Sequence, residues 1–331
     1  MAKFARNFFL FLAALCLAFS SASAAQKKKP AKKKPATKTA RVEQAATPKA
    51  TPVPTPPPKP DDLEFGEGGE IPLIARGAIV IDAFTGATIY AKNADDPQFP
   101  ASTTKIMTAL LVIEEGNLEK EIEVTLEDSK VPESSLNIKP GQRFTRRQGL
   151  YGLMLKSAND VAHALGRDNA GSIEAFAEKM NRRALELGTT GTHFCNPNGL
   201  NEPTQYTTPR DLALITRAAM QQPLFRQIVG TREHPWVGLT EIAQLQNHNR
   251  MLDQFPGCTG VKTGFTNPAQ QVLVTAALRD SREVIAVVMH SARPGVREDS
   301  AALLNYGFEH PPHPAATAGN ANAADSASRF P

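Results

Sequence analysis

Runs of β-favouring residues stand at both ends of the apolar part of the chain, and their order constrains the fold more than any other feature. Near the beginning, residues 77–82 and 87–91 flank a glycine turn at 84–86, which predicts a β-hairpin. Similar runs return much later, at residues 261–266, 271–278 and 283–289. Because half-buried strands must share a core, we expect one sheet built from both ends of the chain, with a helical lobe inserted between them.

The segments between and after these strands show the apolar spacing of helices. Residues 105–115 are densely apolar, which predicts a largely buried helix. Residues 143–230 are expected to be mostly helical, with the clearest amphipathic pattern at 172–187, and a last helix is predicted at 297–306. The expected fold class is therefore α/β, of the α+β type.

The first 25 residues are typical of a secretory signal peptide. Lys3 and Arg6 form a charged start, residues 8–19 form a short apolar stretch, and Ala22-Ser23-Ala24 resembles a cleavage site. An uncleaved membrane anchor is the alternative, but about 20 apolar residues are needed to span a bilayer. We therefore expect an exported protein that is soluble or peripherally attached.

The regions on either side of the apolar part lack the composition for a core. Residues 26–65 are predicted to be a basic, proline-rich, disordered linker, with six prolines between Pro52 and Pro60. Residues 311–331 are predicted to be a disordered tail, which leaves 66–310 as the folded domain.

Charge is distributed unevenly along the chain. The net charge is +4, but residues 1–60 are so basic that residues 61–331 carry −7. A domain that binds phosphate backbones should itself be positive, so nucleic-acid binding by the folded part is excluded. The basic residues between Lys27 and Lys59 belong either to a solvated spacer or to an arm that attracts an anionic envelope polymer or a membrane surface.

The cysteines and histidines do not form a metal-binding pattern. Only Cys195 and Cys258 follow the signal peptide, and their separation leaves open whether they pair. The sequence contains no C-x-x-C and no H-E-x-x-H, so we expect no metal and no other cofactor.

The first candidate for chemistry is Ser102-Thr103-Thr104-Lys105, at the start of the buried helix. A spacing of three residues places the Ser102 hydroxyl and the Lys105 amine on one helix face. A lysine in its neutral form can take the proton from a serine and make it a nucleophile. Taken alone the signal is weak, because Ser102 could simply cap the helix.

Two further candidates lie downstream. Ser157 and Asn159 could pass a proton and hold a peptide carbonyl, although a polar loop is the alternative. Lys262-Thr263-Gly264 begins a strand-like run, where an ammonium and a hydroxyl suit a substrate carboxylate and the glycine allows close approach. Because Val261 separates Gly260 from Lys262, a phosphate-binding loop is rejected.

The three motifs occur in the order found in the penicillin-interacting serine enzymes, with 55 residues from Ser102 to Ser157 and 105 from Ser157 to Lys262. Longer segments strengthen the match, and the chain resembles the serine-type D-alanyl-D-alanine carboxypeptidases, the low-molecular-mass penicillin-binding proteins. The resemblance extends over roughly residues 75–309. It rests on segments 101–109, 153–160, 193–200, 206–212 and 260–266.

This resemblance implies a β-lactamase/transpeptidase-like fold, in which a mostly antiparallel sheet is flanked by helices and the active cleft lies between the sheet and the helical lobe. It implies a periplasmic or cell-envelope enzyme without a cofactor, which removes the terminal D-alanine from peptidoglycan stem peptides through an acyl-enzyme and which β-lactams inhibit. The resemblance implies that Ser102 is the nucleophile, Lys105 its general base and Ser157 a proton relay. It implies that Asn159 orients the substrate and that Lys262 and Thr263 bind its carboxylate. The oxyanion would be contacted by the backbone N–H groups of Ser102 and of Phe265, the residue after Gly264.

The sequence also departs from the family pattern. Gln270 stands where the family usually has glycine, so the strand edge there is expected to differ in shape. Larger members append a β-rich domain and an amphipathic membrane helix, which do not follow residue 310 here. The alternatives are an endopeptidase that cuts peptidoglycan cross-links, a β-lactamase and a non-catalytic wall-binding protein. His163, His193 and His248 are expected to be structural.

Overall fold

The computed structural model describes residues 64–66, 69–236 and 243–310. The predicted signal peptide, most of the predicted linker and the predicted tail lie outside these described residues. The folded part begins slightly earlier than expected, because Glu64–Gly66 pairs as a strand with Gly69–Leu73, and the expected boundary at residue 66 falls inside that first strand.

The described residues form a mixed α and β structure with the elements expected from the sequence and several short ones besides. The strands are β1 Glu64–Gly66, β2 Gly69–Leu73, β3 Gly77–Asp82, β4 Thr88–Lys92, β5 Glu121–Glu123, β6 Arg143–Thr145, β7 Glu233–Trp236, β8 Ala243–Gln246, β9 Cys258–Thr266, β10 Gln270–Arg279 and β11 Arg282–Ser291. The helices are α1 Lys105–Glu115, α2 Leu126–Ser129, α3 Arg146–Leu155, α4 Asn159–Ala170, α5 Ile173–Glu186, α6 Pro209–Met220, α7 Pro223–Gly230, α8 Met251–Gln254 and α9 Val296–Glu309.

The central sheet has five strands in the order β4-β3-β11-β10-β9, and every neighbouring pair is antiparallel. The early hairpin β3–β4 joins the late strands through β11, with Ile81 opposite Ile285. The prediction of one sheet assembled from both ends of the chain is therefore confirmed. Its free edge at β9 is the edge that faces the site.

Both faces of this sheet are buried, so β3 is apolar along its length instead of alternating. On one face, Ile79 and Ile81 pack with α1 and with the helices from α3 to α7. On the other face, Ala78 and Val80 pack with Leu303 and Leu304 of α9. The helical lobe and α9 thus cover opposite sides of the sheet, which confirms the expected layer arrangement.

Among the described residues, no helix combines the length and the apolar character required to cross a bilayer. Cys195 and Cys258 are both free thiols, so the disulfide left open by the sequence is not formed.

Candidate active site

Ser102 lies in a tight helical turn, Ala101–Thr104, that leads directly into α1. Strand β9 packs against this turn at its least bulky point. A Cβ atom on Gly264 would lie only 3.1 Å from the backbone nitrogen of Ser102 and 3.2 Å from the Cβ of Ala101. The glycine of the Lys-Thr-Gly motif therefore brings the strand edge against the backbone of the Ser102 turn, as a larger residue could not.

Lys105 is completely buried at the start of α1, and its amine lies at the centre of a hydrogen-bond network. Its Nζ lies 3.1 Å from the Oγ of Ser102 and donates at 2.7 Å to the Oδ1 of Asn159. It also donates to the backbone carbonyl of Asn198. The Nδ2 of Asn159 donates to the Pro132 carbonyl, which fixes the amide with its oxygen toward Lys105.

A second pair of groups lies beside the first. The Nζ of Lys262 donates at 3.0 Å to the Oγ of Ser157 and at 2.8 Å to the carbonyl of Thr263. Ser157 has a φ of 60°, in the left-handed region, at the connection between α3 and α4. Each of the two buried lysines in the site therefore faces one serine hydroxyl.

The surroundings shift the pKa values of both lysines downward. Burial, followed by the positive charge of Lys262, holds the pKa of Lys105 well below its usual range, and the Asp160 carboxylate opposes this shift. Burial lowers the pKa of Lys262 to about 7. A neutral amine at Lys105 beside a partly protonated Lys262 is the state these environments favour near neutral pH.

A cavity of about 830 Å³ opens over these groups. The predicted residues that line it are Ser102, Ser157, Thr263, Gly264 and Phe265. The other three, Lys105, Asn159 and Lys262, are buried behind the lining. Each makes a hydrogen bond to a lining residue, Lys105 to Ser102, Lys262 to Ser157 and the Asn159 backbone N–H to the Ser134 carbonyl. The structure thus brings all eight predicted site residues into one place, although they come from three separate stretches of the chain.

Sequence reasoning missed the segment 196–200, which closes one side of the network. Gly199 has a φ of +87°, and a Cβ atom there would lie 1.8 Å from the carbonyl oxygen of Ala101. The close approach delivers the Asn198 carbonyl to Lys105. Segment 193–200 was part of the family resemblance, but a backbone carbonyl has no side-chain signal that would reveal its role.

Charged residues at the cavity were missed as well. Glu133 lines it from the segment between α2 and β6. Arg250 lies just before α8, Arg293 lies in the connection from β11 to α9, and Arg297 lies in the first turn of α9. Asp160, in the first turn of α4, accepts hydrogen bonds from the backbone N–H groups of residues 136 and 138, and so holds the Glu133 segment near the site.

The three singled-out histidines occupy different places. His163 has a carboxylate partner that the sequence did not reveal, with its Nδ1 2.7 Å from the Oδ1 of Asp128. His193 bonds the Thr204 carbonyl through Nδ1, and His248 lines the cavity. Gln270 begins β10 with a φ of 55°, so it adopts the left-handed conformation that a glycine would take more easily.

Among the described residues, no group of three or more His, Cys, Asp or Glu side chains is arranged to hold a metal ion. The side chains at the site offer two pairs of groups for chemistry, the Ser102 hydroxyl next to the Lys105 amine and the Ser157 hydroxyl next to the Lys262 amine.

Comparisons with known proteins agree with this geometry. The profile of the D-alanyl-D-alanine carboxypeptidase family, peptidase S11, matches residues 69–293. The chain is 36% identical over 255 residues to the D-alanyl-D-alanine carboxypeptidase of Streptomyces sp. strain K15, covering 71% of this chain and 88% of the relative. It is 32% identical over 256 residues to D-alanyl-D-alanine carboxypeptidase DacB2 of Mycobacterium tuberculosis, covering 75% and 88%.

Solved structures show the same similarity in three dimensions. The Streptomyces K15 DD-transpeptidase superposes with a TM-score of 0.69 at 34% identity, covering 73% of this chain and 99% of that one. A D-alanyl-D-alanine carboxypeptidase from M. tuberculosis H37Rv superposes with a TM-score of 0.70 at 30% identity, covering 80% and 96%. The transpeptidase-like fold expected from the sequence is therefore confirmed.

Proposed function

The chain belongs to the D-alanyl-D-alanine carboxypeptidase family of serine peptidases, and on that basis we propose how its own residues remove the terminal D-alanine from peptidoglycan stem peptides. Ser102 is the nucleophile and Lys105 its general base. β-Lactams acylate the same hydroxyl because they present a reactive amide carbonyl to it.

The hydrogen bonds of Lys105 carry this proposal. A neutral amine has two N–H groups and one lone pair. The Asn159 amide oxygen and the Asn198 carbonyl can only accept, so they take the two N–H groups. The lone pair is left for the third neighbour, the Ser102 hydroxyl at 3.1 Å. The proton of this hydroxyl is the one that a general base must remove.

The first half of the reaction forms an acyl-enzyme. Ser102 attacks the carbonyl between the two D-alanines, and the developing oxyanion is stabilised by the backbone N–H group of Ser102, which lies beside Gly264, and by that of Phe265, the next residue of β9. Ser157, which accepts a hydrogen bond from Lys262, passes a proton to the departing amine. Water then hydrolyses the Ser102 ester and releases the shortened peptide.

An enzyme that binds the free terminal carboxylate of its substrate cleaves at the end of the peptide and so acts as an exopeptidase. Lys262 was expected to bind it, but its Nζ points to Ser157 and it is only 1% exposed. We therefore assign Lys262 a long-range electrostatic attraction for the carboxylate. The Thr263 hydroxyl and the exposed guanidinium groups of Arg293 and Arg297 contact the carboxylate directly.

Intact-mass spectrometry after exposure to benzylpenicillin tests the assignment. We expect one adduct per molecule, located on Ser102 by peptide mapping, and release of D-alanine from a diacetyl-L-lysyl-D-alanyl-D-alanine peptide. Ser102→Ala should show neither, whereas Thr266→Ala, a change to a hydroxyl that bonds Asn201 and does not belong to the cavity lining, should keep both. Full D-alanine release by the Ser102→Ala variant would refute the assignment.

The location of the enzyme is proposed from the sequence alone. The signal-like residues 1–25 would direct export to the periplasm or cell envelope, where the stem peptides are. The proposed arm between Lys27 and Lys59 would then hold the catalytic domain near an anionic envelope surface.

A further inference from the structure

The cavity continues past the catalytic serine, around the end of strand β9, to the other face of the sheet. Gly264 lies against the backbone of Ser102. The preceding residue, Thr263, is paired across the sheet with Leu273, which belongs to the core beneath α9. Since Ser102, Thr263 and Leu273 all line the same cavity, the space over the serine and the space on the α9 side are continuous.

The floor of this extension is apolar. Met251, Leu273 and Val296 line the cavity, yet each is more than nine-tenths buried. They come from α8, β10 and α9, and they belong to one packed cluster. A floor held by three elements of the core is a built surface, unlike a depression between mobile side chains.

The rim of the extension is cationic. Arg250 precedes Met251, and Arg293 and Arg297 lie three positions before and one after Val296. Within the described residues, none of these three guanidinium groups is paired with a carboxylate, although many arginines elsewhere are, including Arg183 and Arg226. Glu133 is the acidic residue of the lining, and it comes from the helical-lobe side.

The position of the extension defines which part of a substrate enters it. In a peptide, the terminal carboxylate and the side chain of the last residue are attached to the same carbon atom. The groups assigned to the carboxylate, Thr263, Arg293 and Arg297, line the same cavity as the apolar floor. Thr263 is the strand partner of Leu273, and Arg297 directly follows Val296. A pocket that adjoins the carboxylate site therefore receives the side chain of the departing residue.

We propose that this extension, with its floor at Met251, Leu273 and Val296 and with Arg250 on its rim, is a side-chain pocket for the departing residue. The enzyme then releases C-terminal D-amino acids larger than alanine, and prefers those whose apolar stem ends in a carboxylate. The inference rests on the proposed function, because it concerns the leaving group of the same reaction.

The chemistry is unchanged by the larger leaving group. The amide C–N bond breaks, Ser102 keeps the acyl group as an ester, and the free D-amino acid departs with the proton relayed by Ser157. Water then hydrolyses the ester, so one water is consumed for each D-amino acid released.

The test uses the full mature chain and four diacetyl-L-lysyl-D-alanyl-D-Xaa peptides. The last residue is D-alanine, D-norleucine, D-2-aminoadipate or D-lysine, of which the last two are similar in length and opposite in charge. We expect kcat/KM for D-norleucine to be at least equal to that for D-alanine, because the stem is buried on an apolar floor. D-2-aminoadipate should exceed D-lysine by about tenfold.

The Arg250→Glu variant reverses the charge at one of the three rim positions and leaves the residues assigned to the reaction unchanged. It should lower the ratio of D-2-aminoadipate to D-lysine by about tenfold or more while changing D-alanine release much less, because the methyl side chain of D-alanine does not extend to Arg250. Arg182→Glu, at an exposed arginine on α5, is the matched control and should leave the ratio as it is. Arg250→Gln gives a second variant with an intermediate expected ratio.

The outcomes separate the two proposals. Release of D-alanine together with rejection of D-norleucine, or equal rates for D-2-aminoadipate and D-lysine, would overturn the pocket and leave the proposed function intact. An unchanged ratio in both Arg250 variants would overturn the role of the rim. Failure to release D-alanine from any peptide would overturn the proposed function, and this inference with it.

Discussion

At the scale of single residues, the two buried lysines of the site differ in the order in which they lose their protons. The pKa of Lys105 is lowered by burial and further by the charge of Lys262, whereas burial alone lowers that of Lys262. Lys105 therefore loses its proton first, while Lys262 still carries one. If both lysines were protonated, their charges would repel each other. Because of this repulsion, Lys105 becomes the neutral base while Lys262 remains the cation.

This division gives a pH prediction. With Lys105 as the proposed general base, acylation by benzylpenicillin should become faster as pH passes the lowered pKa of Lys105, because the base must be neutral. It should become slower again as Lys262 is neutralised at a pKa of about 7. Lys262→Met removes the charge, so the pKa of Lys105 rises and the acid limb moves upward by roughly one pH unit. The alkaline limb near the pKa of Lys262 should disappear.

The measurement is the second-order acylation rate over a pH series for wild type and variant. The overall rate falls in Lys262→Met, so the positions of the limbs carry the result. An acid limb at the same pH in both proteins would contradict the coupling between the two lysines.

A second residue-scale prediction concerns Gly199. Gly199→Ala puts a Cβ atom 1.8 Å from the Ala101 carbonyl and requires a positive φ from alanine, so the loop or the serine turn must shift. We expect a loss of at least about 3 kcal/mol in the free energy of unfolding and little penicillin acylation. Gly188→Ala is the matched control, because Gly188 has a φ of +85° with no atom within 4 Å of the added Cβ.

The Gly188→Ala variant isolates the cost of the positive φ, about 1 kcal/mol, and should be acylated normally. Urea unfolding and labelling with a fluorescent penicillin measure both effects. Equal behaviour of the two variants would mean that the contact between Gly199 and the serine turn is unimportant.

At the scale of elements, long apolar segments could be predicted and short ones could not. The hairpin β3–β4, the helix α1 and the strands β9 to β11 each bury enough consecutive residues to show their period in the sequence. The three- and four-residue strands β5 to β8 and the short helices α2 and α8 are too brief for any period. They form because tertiary contacts favour them, such as the pairing of Ile122 with Phe144.

The site shows the same limit. Motif spacing predicted the side chains of Ser102, Lys105, Ser157 and Lys262, which the structure brings together, because the proposed chemistry requires those residue types. It could not identify the Asn198 carbonyl, since any residue has one. The order in which the two lysines deprotonate also depends on the folded protein, because it follows from their burial together with the effect of the Lys262 charge on Lys105.

The junction of α2 with α4 shows how elements outside the cavity support it. Asp128, fully buried in α2, accepts hydrogen bonds from Arg167 and the Thr125 N–H and contacts His163 of α4. Burial raises the pKa of Asp128, but its hydrogen bonds to His163, Arg167 and the Thr125 N–H, together with the Arg167 charge, outweigh burial and hold the pKa well below its usual range. The chain after α2 carries Pro132, whose carbonyl orients Asn159.

Asp128→Asn should therefore destabilise the protein by about 3 kcal/mol near neutral pH, because it leaves buried donors and a partly buried guanidinium without a charge partner. The folded-state pKa lies below the unfolded one, so the carboxylate stabilises the fold above about pH 4, and this contribution is lost as pH falls below that value. Urea unfolding at several pH values measures the difference between wild type and variant, which should shrink in acid.

The control for this prediction is Asp95→Asn. Asp95 makes a bidentate pair with Arg210, but its side chain is 71% exposed, so the cost should stay below about 1 kcal/mol. A cost for Asp128→Asn no larger than that of the control would show that the buried pair contributes no more than a surface one.

At the scale of the whole molecule, the sheet explains why residues so far apart in sequence meet at one cavity. Strand β9 is joined to the early hairpin through β10 and β11, and the free edge of β9 contacts the turn that precedes α1. Any change that shifts β9 along β10 would move Gly264 away from Ser102 and Lys262 away from Ser157 together. The register of one strand pair therefore sets the positions of both halves of the site.

The last prediction concerns the separation of charge between residues 26–60 and the rest of the chain. Residues 26–60 hold nine lysines, one arginine and one glutamate, whereas residues 61–331 carry a net charge of −7. If this arm attracts an anionic surface, the mature protein should cosediment with phosphatidylglycerol vesicles at low salt and dissociate as ionic strength rises past about 0.15 M, where charges more than about 8 Å apart are screened. Replacing all nine lysines with glutamine keeps the length and should abolish cosedimentation, while penicillin acylation of Ser102 stays at the wild-type rate. Vesicles of zwitterionic lipid alone provide the matched surface, and binding to them that equals binding to anionic vesicles would mean that charge is not what attracts the arm.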